Sequence, residues 1–287
     1  MTALSRPLWR DRLMPARPGV LPGFGPALGF TVLYLSLVVL IPLGALVLRA
    51  FGMSFADFIA TAFSPRALAA YRLSFGGALV AASFNAIAGV LIAWVFTRYR
   101  FAGQKIADAA VDLPFALPTA VAGIALAAVY APEGWIGRML APLGIQVAFT
   151  PAGVIVAMVL VGLPFVVRVV QPVLAEFDRE AEEAAYTLGA PRHQIFWRVI
   201  LPALAPAVLT GYALALARAI GEYGSVIFIA GNMPGRSEIA PLLIVIQLEQ
   251  FRYAGATAIA TVMLAVSLAL LLVINVLQAW LRRASGP

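Results

Sequence analysis

The chain has 287 residues, of which 62% are hydrophobic and 11% charged, with a mean hydropathy of +0.95. Too little polar surface remains to coat a soluble domain, so it reads as an integral membrane protein built as one transmembrane domain. Cysteine is absent and His193 is the only histidine, which excludes thiolate chemistry, disulfides and Cys/His zinc or haem centres. The net charge of +7 is spread over short loops rather than gathered into a stripe, so nucleic acid is not an expected partner.

Residues 1–26 form an Arg/Pro-rich tail, with Arg6, Arg10, Arg12 and Arg17 against a single acid, Asp11. The run Ala27–Leu48 is long enough to cross a bilayer at about 1.5 Å per residue. It exceeds the apolar core of a signal peptide, and Arg49 interrupts any small-residue cleavage site, so it is read as an anchor. Further spans are expected over Phe75–Phe96, Ala109–Tyr130, Pro151–Val170, Leu204–Ala230 and Gly255–Trp280. All must be helices, because backbone exposed to lipid has to satisfy its own hydrogen bonds. The small residues Gly76, Gly77, Ala81, Ala82, Ala86, Ala88 and Gly89 prepare the second span for close packing; Ser83 and Asn85 are polar in the same span, where such groups more often join helices than line a pathway, and neither is given a role. Pro42, Pro114, Pro118 and Pro164 fall inside spans and read as kinks. Asp108 and Asp112, four apart near the start of the third span, read as carboxylates favoured by the dipole of a helix start.

Six spans put both termini on one side. Thirteen Lys and Arg lie on that side (the tail, 98–105, 168–198 and the C-terminus) and six on the other. The positive-inside rule therefore places both termini, and the loop between the fourth and fifth spans, in the cytoplasm.

That loop, 171–203, is the densest polar stretch of the chain. Glu176, Asp178, Glu180, Glu182 and Glu183 lead into it, and Arg192, His193, Gln194 and Arg198 follow. It reads as two short helices: acids in the first turns of one, Gly189 as its left-handed cap, and Pro191 in the first turn of the next. Ala184 and Ala185 leave a bare face that another backbone could approach. The pattern Glu183-Ala184-Ala185, three residues, Gly189, nine residues, Val199-Ile200-Leu201-Pro202 resembles the cytoplasmic EAA loop of ABC-importer permeases, with Val199 in place of the usual Ile. The resemblance implies an all-α, six-helix permease of the MetI-like fold. Its loop would dock on an ATP-hydrolysing subunit through Glu183, Ala184, Ala185, Gly189, Leu201 and Pro202.

The fifth span carries a second constellation, Arg218 and Glu222 one helical turn apart, followed by Ser225. Counted from Leu204, Arg218 falls roughly 21 Å along the helix, near mid-bilayer, where a charge costs at least about 2.5 kcal/mol and is normally paired or faces a cavity. The trio reads either as a structural pair or as a polar step in an anion pathway, with Gly221 and Gly224 loosening the helix. The strings from Gly221 to Asn232, Ser237 to Ile246 and Tyr253 to Ala258 resemble the T-type subunit of sulfate/thiosulfate ABC importers.

By that resemblance the domain spans 27–281, with 282–287 as a cytoplasmic C-terminus, in a bacterial inner membrane. Its implied partners are a second related permease, two ATPase copies that hold ATP and Mg, and a periplasmic sulfate/thiosulfate-binding protein. No catalytic residue, metal site or cofactor is expected on the chain itself. A molybdate or tungstate permease is the nearest alternative. An ATP-independent secondary transporter or an intramembrane enzyme would need a coupling-ion site or buried catalytic groups of its own.

Overall fold

The computed structural model describes residues 24–284, with side chains through residue 280; the predicted tail before Phe24 and the final residues lie outside them. The described chain is helical, and six segments are long and apolar enough to cross a membrane. In chain order the helices are α1 (Phe24–Phe51), α2 (Phe55–Ala62), α3 (Pro65–Arg98), α4 (Gln104–Val111), α5 (Leu113–Ala116), α6 (Thr119–Tyr130) and α7 (Trp135–Leu140). They continue as α8 (Pro151–Glu176), α9 (Arg179–Thr187), α10 (Arg192–Ile220), α11 (Val226–Ile229), α12 (Ala240–Glu249) and α13 (Tyr253–Ala284). By contacts the chain divides into two compact units, 1–48 and 49–287. The described part of the first unit is the apolar body of α1, and none of its residues from Phe24 to Leu48 is buried.

In the second unit α3, α8 and α10 pack on one another as the centre of the bundle. Lipid tails are as apolar as leucine, so the hydrophobic effect does not drive helices together there; close van der Waals contact has to. The sequence supplies small residues at helical spacing. Ala67, Ala70, Ser74, Gly77, Ala78, Ala81, Ala82, Asn85 and Gly89 make one buried stripe along α3. A methyl group on Gly89 would sit 2.6 Å from Val166 Cγ1, on Gly162 2.5 Å from Asn85 Nδ2, and on Gly211 2.9 Å from the Val166 Cα. Larger side chains such as Met158, Leu174, Leu204 and Leu216 fill the space between these crossings. α13 packs on α12, α10 and α2, and α6 packs on α11 and α8.

The helix ends follow local chemistry. Ser64 caps α3 by accepting the Ala67 N–H at 3.3 Å, with Pro65 in the first turn, so the helix starts ten residues before the predicted Phe75. Arg66 and Arg72, read from the sequence as loop, lie on this helix. Thr150 caps α8 by accepting the Ala152 N–H, again with Pro following, and α8 runs unbroken through Pro164 and Pro172 to Glu176. The third span departs most from expectation. Residues 104–116 are two short helices, Leu117 is extended as a residue before proline tends to be, and the spanning segment runs instead over Thr119–Leu143.

Proline acts through a repeated device rather than through simple kinks. A π turn at Ser36–Leu40, closed by the Ile41 N–H to the Ser36 carbonyl, precedes Pro42. Another at Phe196–Ile200, closed by the Leu201 N–H to the Phe196 carbonyl, precedes Pro202. Proline has no N–H to give to the residue four back and its ring crowds that carbonyl, so a widened turn just before it relieves both problems. Pro202 therefore sits inside a continuous helix that began at Arg192. It does not restart the fifth span.

Neither Ser83 nor Asn85 bonds to another helix. Ser83 donates to the Leu79 carbonyl of its own helix at 2.8 Å. Asn85 is fully buried at the α3–α8 crossing, and neither end of its amide has a hydrogen-bond partner.

Gly211→Val should lower the thermal midpoint of the detergent-purified chain, because its nearest obstacle is backbone; overpacking of this kind costs about 1–3 kcal/mol. Gly76→Ala, which meets nothing within 4 Å, should leave the midpoint unchanged or raise it slightly.

Candidate functional site

Two polar regions hold the residues singled out from the sequence. The first is the hairpin of α9 and the start of α10. Phe177 and Asp178 leave α8 in extended conformation, and Asp178 Oδ1 accepts the Glu180 N–H at 2.9 Å, with Glu180 and Glu182 in the first turn. The C-terminus closes with paired bonds, Ala190 N–H to the Ala185 carbonyl at 3.1 Å and Gly189 N–H to the Tyr186 carbonyl at 2.9 Å. This pattern needs a left-handed residue at Gly189, where φ is +82°. Pro191 stands at the cap of α10 rather than in its first turn.

The helix so defined has no buried residue, and its tip is apolar and open: Tyr186 is exposed and Leu188 is 89% exposed. Glu183 and Ala184 are exposed beside them, whereas Ala185 turns inward and packs against the chain's own core. Only half of the expected bare alanine face is therefore available to another backbone. Leu201 and Pro202 lie on α10 just beyond the π turn. A cavity of about 640 Å³ lies between α9, α10 and the end of α3, lined among others by Trp94, Glu183, Tyr186 and Phe196.

The second region is the end of α10. The helix stops at Ile220, not at the predicted Ala230, and Arg218 is in its last turn, roughly 39 Å from Arg192 along the axis. Its Nη1 meets Glu222 Oε2 at 2.5 Å. The other carboxylate oxygen of Glu222 accepts from both the N–H and the hydroxyl of Ser225, each at 2.8 Å. Glu222 is 1% exposed, so its negative charge is fully occupied, while 32% of the Arg218 side chain is open. The turn is clamped onto the first turns of α6. A methyl on Gly224 would meet Thr119 Oγ1 at 2.1 Å, and one on Gly123 would meet the Ser225 carbonyl at 2.3 Å. Gly224 thus permits contact between two helix ends; it does not loosen a helix.

Three further arginines form unforeseen ion pairs, each with residues far away in sequence. Arg66 grips Glu238 with two bonds of 2.7 and 2.6 Å, and Glu238 is buried. Arg168 makes two bonds to Asp112, of 2.7 and 2.6 Å, and one to Asp108 of 2.8 Å. Those aspartates therefore fasten α4 and α5 to α8; Asp112 stands at the N-cap of α5 but makes no side-chain cap bond there. Arg98 pairs with Glu182. The available signal was that charges within apolar segments are normally paired, although their partners were not legible.

This arrangement of spanning helices with a protruding helical hairpin matches known proteins. Residues 85–285 match the model of the family described as binding-protein-dependent transport system inner membrane component. The chain belongs to this family. The permease is 52% identical over 253 residues to the sulfate transport system permease protein CysT of Synechocystis, covering 88% of each chain. It is 49% identical over 260 residues to the CysT protein of Escherichia coli K12, covering 91% of this chain and 94% of that one. Among solved structures it resembles a chain of a bacterial ABC transporter involved in the import of the acidic polysaccharide alginate (TM-score 0.73, 19% identity, 88% and 94% of the two chains). It also resembles a chain of the inward-facing MetNI methionine ABC transporter (TM-score 0.53, 20% identity, 82% and 100%). At those identities the likeness speaks for the fold, which is the MetI-like permease fold.

Arg66→Ala should destabilise the permease, because it strands a buried carboxylate. The double variant Arg66→Ala/Glu238→Ala should recover part of the loss, and a double-mutant cycle of thermal midpoints measures it.

Proposed function

We propose that this permease is the T-type transmembrane subunit of an ATP-driven importer that carries sulfate and thiosulfate from a periplasmic binding protein into the cytoplasm. The observation that carries the reading is identity of about one half, over about nine-tenths of the chain, with permeases named for sulfate transport. In this reading the chain sits in a bacterial inner membrane with both termini and α9 on the cytoplasmic side. It pairs with a second related permease and rests on two ATPase subunits, which hold ATP and Mg²⁺; the chain itself performs no chemistry.

The geometry fits a mechanical role for the hairpin. α9 is short, capped at both ends and open at its tip, with Glu183, Ala184, Tyr186 and Leu188 outward. Such a piece enters a cleft on an ATPase as a rigid unit. Closure of the ATPase pair would draw the two hairpins of the permease pair together, and α10 would carry that movement into the membrane as a packed element with discrete positions.

Arg218, Glu222 and Ser225 form the polar step at the far end of α10. The partly open guanidinium offers donors to a tetrahedral oxyanion. Glu222 neutralises most of its field, so an anion is held weakly enough to leave. Selectivity among oxyanions then rests largely with the binding protein.

Labelled-sulfate uptake in cells with and without this chain, with thiosulfate and molybdate as competitors, tests the reading. Loss of ATP-dependent uptake that thiosulfate competes for is the expected result. Unchanged sulfate uptake, in cells with no second importer, rejects the substrate and turns attention to molybdate. Glu183→Lys and Gly189→Asp should each abolish uptake while the chain still inserts in the membrane. Normal uptake by either removes the docking role from α9.

A further inference from the structure

α9 is lightly attached to the rest of the chain. It buries no residue, and its own hydrogen bonds, apart from one, stay within the hairpin from Asp178 to Ala190. The exception is Glu182, which accepts from Nη2 of Arg98, the last residue of α3. That arginine is well placed to transmit force. Its guanidinium lies over the Trp94 ring, 5.4 Å from the centroid. Trp94 in turn meets Phe196 edge-on at 5.6 Å, and Phe196 is the first residue of the π turn in α10. Gln104 holds the end of α3 by donating to the Phe96 carbonyl at 2.7 Å, so the base beneath Arg98 is firm. The side chain of Arg98 is 11% exposed, and its Nε–H is buried without an acceptor. A charge so little hydrated depends on its carboxylate and on the ring below it.

We propose that Arg98 is a positioning residue, a latch that fixes α9 against the end of α3 and passes its displacement through Trp94 and Phe196 to the π turn of α10. The inference rests on the docking role proposed for α9 and adds the route by which movement leaves it. A π turn is the point where the i to i+4 ladder of α10 is already open, so its backbone can change register with fewer bonds broken than elsewhere on the helix. Without the latch, α9 keeps its caps and its open tip but swings independently of α10. An ATPase could then still close on it while the membrane helices fail to follow.

The chain has no cysteine, so spin labels can be placed freely. Cysteines at Glu180 on α9 and Ala203 on α10, both exposed, report the distance between the two elements in the full chain in lipid nanodiscs. A narrow distribution is expected with Arg98 present, a broad one in Arg98→Gln, and a narrow one again in the charge swap Arg98→Glu/Glu182→Arg. In the complete importer Arg98→Gln should cut sulfate moved per ATP hydrolysed by about tenfold, and the swap should restore it. The latch is overturned if Arg98→Gln leaves the distribution narrow, if the swap fails to restore it, or if a broadened distribution leaves the transport ratio unchanged. Absence of sulfate uptake by the unsubstituted chain counts instead against the substrate reading, and the distance measurement then decides the latch by itself.

Discussion

Close helix-to-helix contact among α3, α8 and α10 underlies everything else in this permease. It rests on Gly89, Gly162 and Gly211, each of which stands where a methyl group would strike a neighbour. In a bilayer the association of helices gains little from removing apolar surface from solvent, so intimate packing has to supply it. Those contacts fix α8 and α10 relative to each other, and these two helices carry the polar hairpin between them. The two ends of the hairpin, at Glu176 and Arg192, are thus placed by crossings several turns away.

Charge is placed with the same economy. A buried ion costs several kcal/mol unless paired and hydrogen-bonded, and each deeply placed acid here has a guanidinium. Buried Glu238 has Arg66 and buried Glu222 has Arg218, while the half-exposed Asp112 has Arg168. These pairs join separate pieces of the fold: the loop before α12 to the start of α3, where the Ala240 N–H also donates to Ser74 Oγ, and the α4–α5 elbow to α8. Arg98 and Glu182 belong to the same set but tie a surface element, which is what makes them candidates for transmission rather than for stability alone.

The discontinuous helices serve a related purpose. The end of α10, the turn at 221–225 and the first turn of α6 meet through Gly224 and Gly123. Backbone that leaves the helical ladder within a membrane protein must be covered by protein or line a cavity. Here the Glu222 carboxylate satisfies the Ser225 N–H, and the glycines allow the two chain segments to cover each other.

The sequence by itself determined the membrane class, spans within a few residues at α1, α8 and α13, the left-handed Gly189 cap of α9 and the pairing of Arg218 with Glu222. These follow from local physics: apolar length, a glycine at the end of a short helix, and two charges one turn apart. The start of α3 at the Ser64 cap is also local chemistry, but apolar length does not register it. The tertiary structure alone decided that α10 begins at Arg192, that the third span shifts to Thr119, and that Asp108 and Asp112 belong to Arg168. It also decided that Ala185 faces inward. A charge reads locally as a loop or a dipole partner, and only the fold can bring Arg66 to Glu238 across 172 residues. Hydropathy marks what can enter a bilayer, but helix bounds there are set by caps and by ion pairs whose halves lie on different helices.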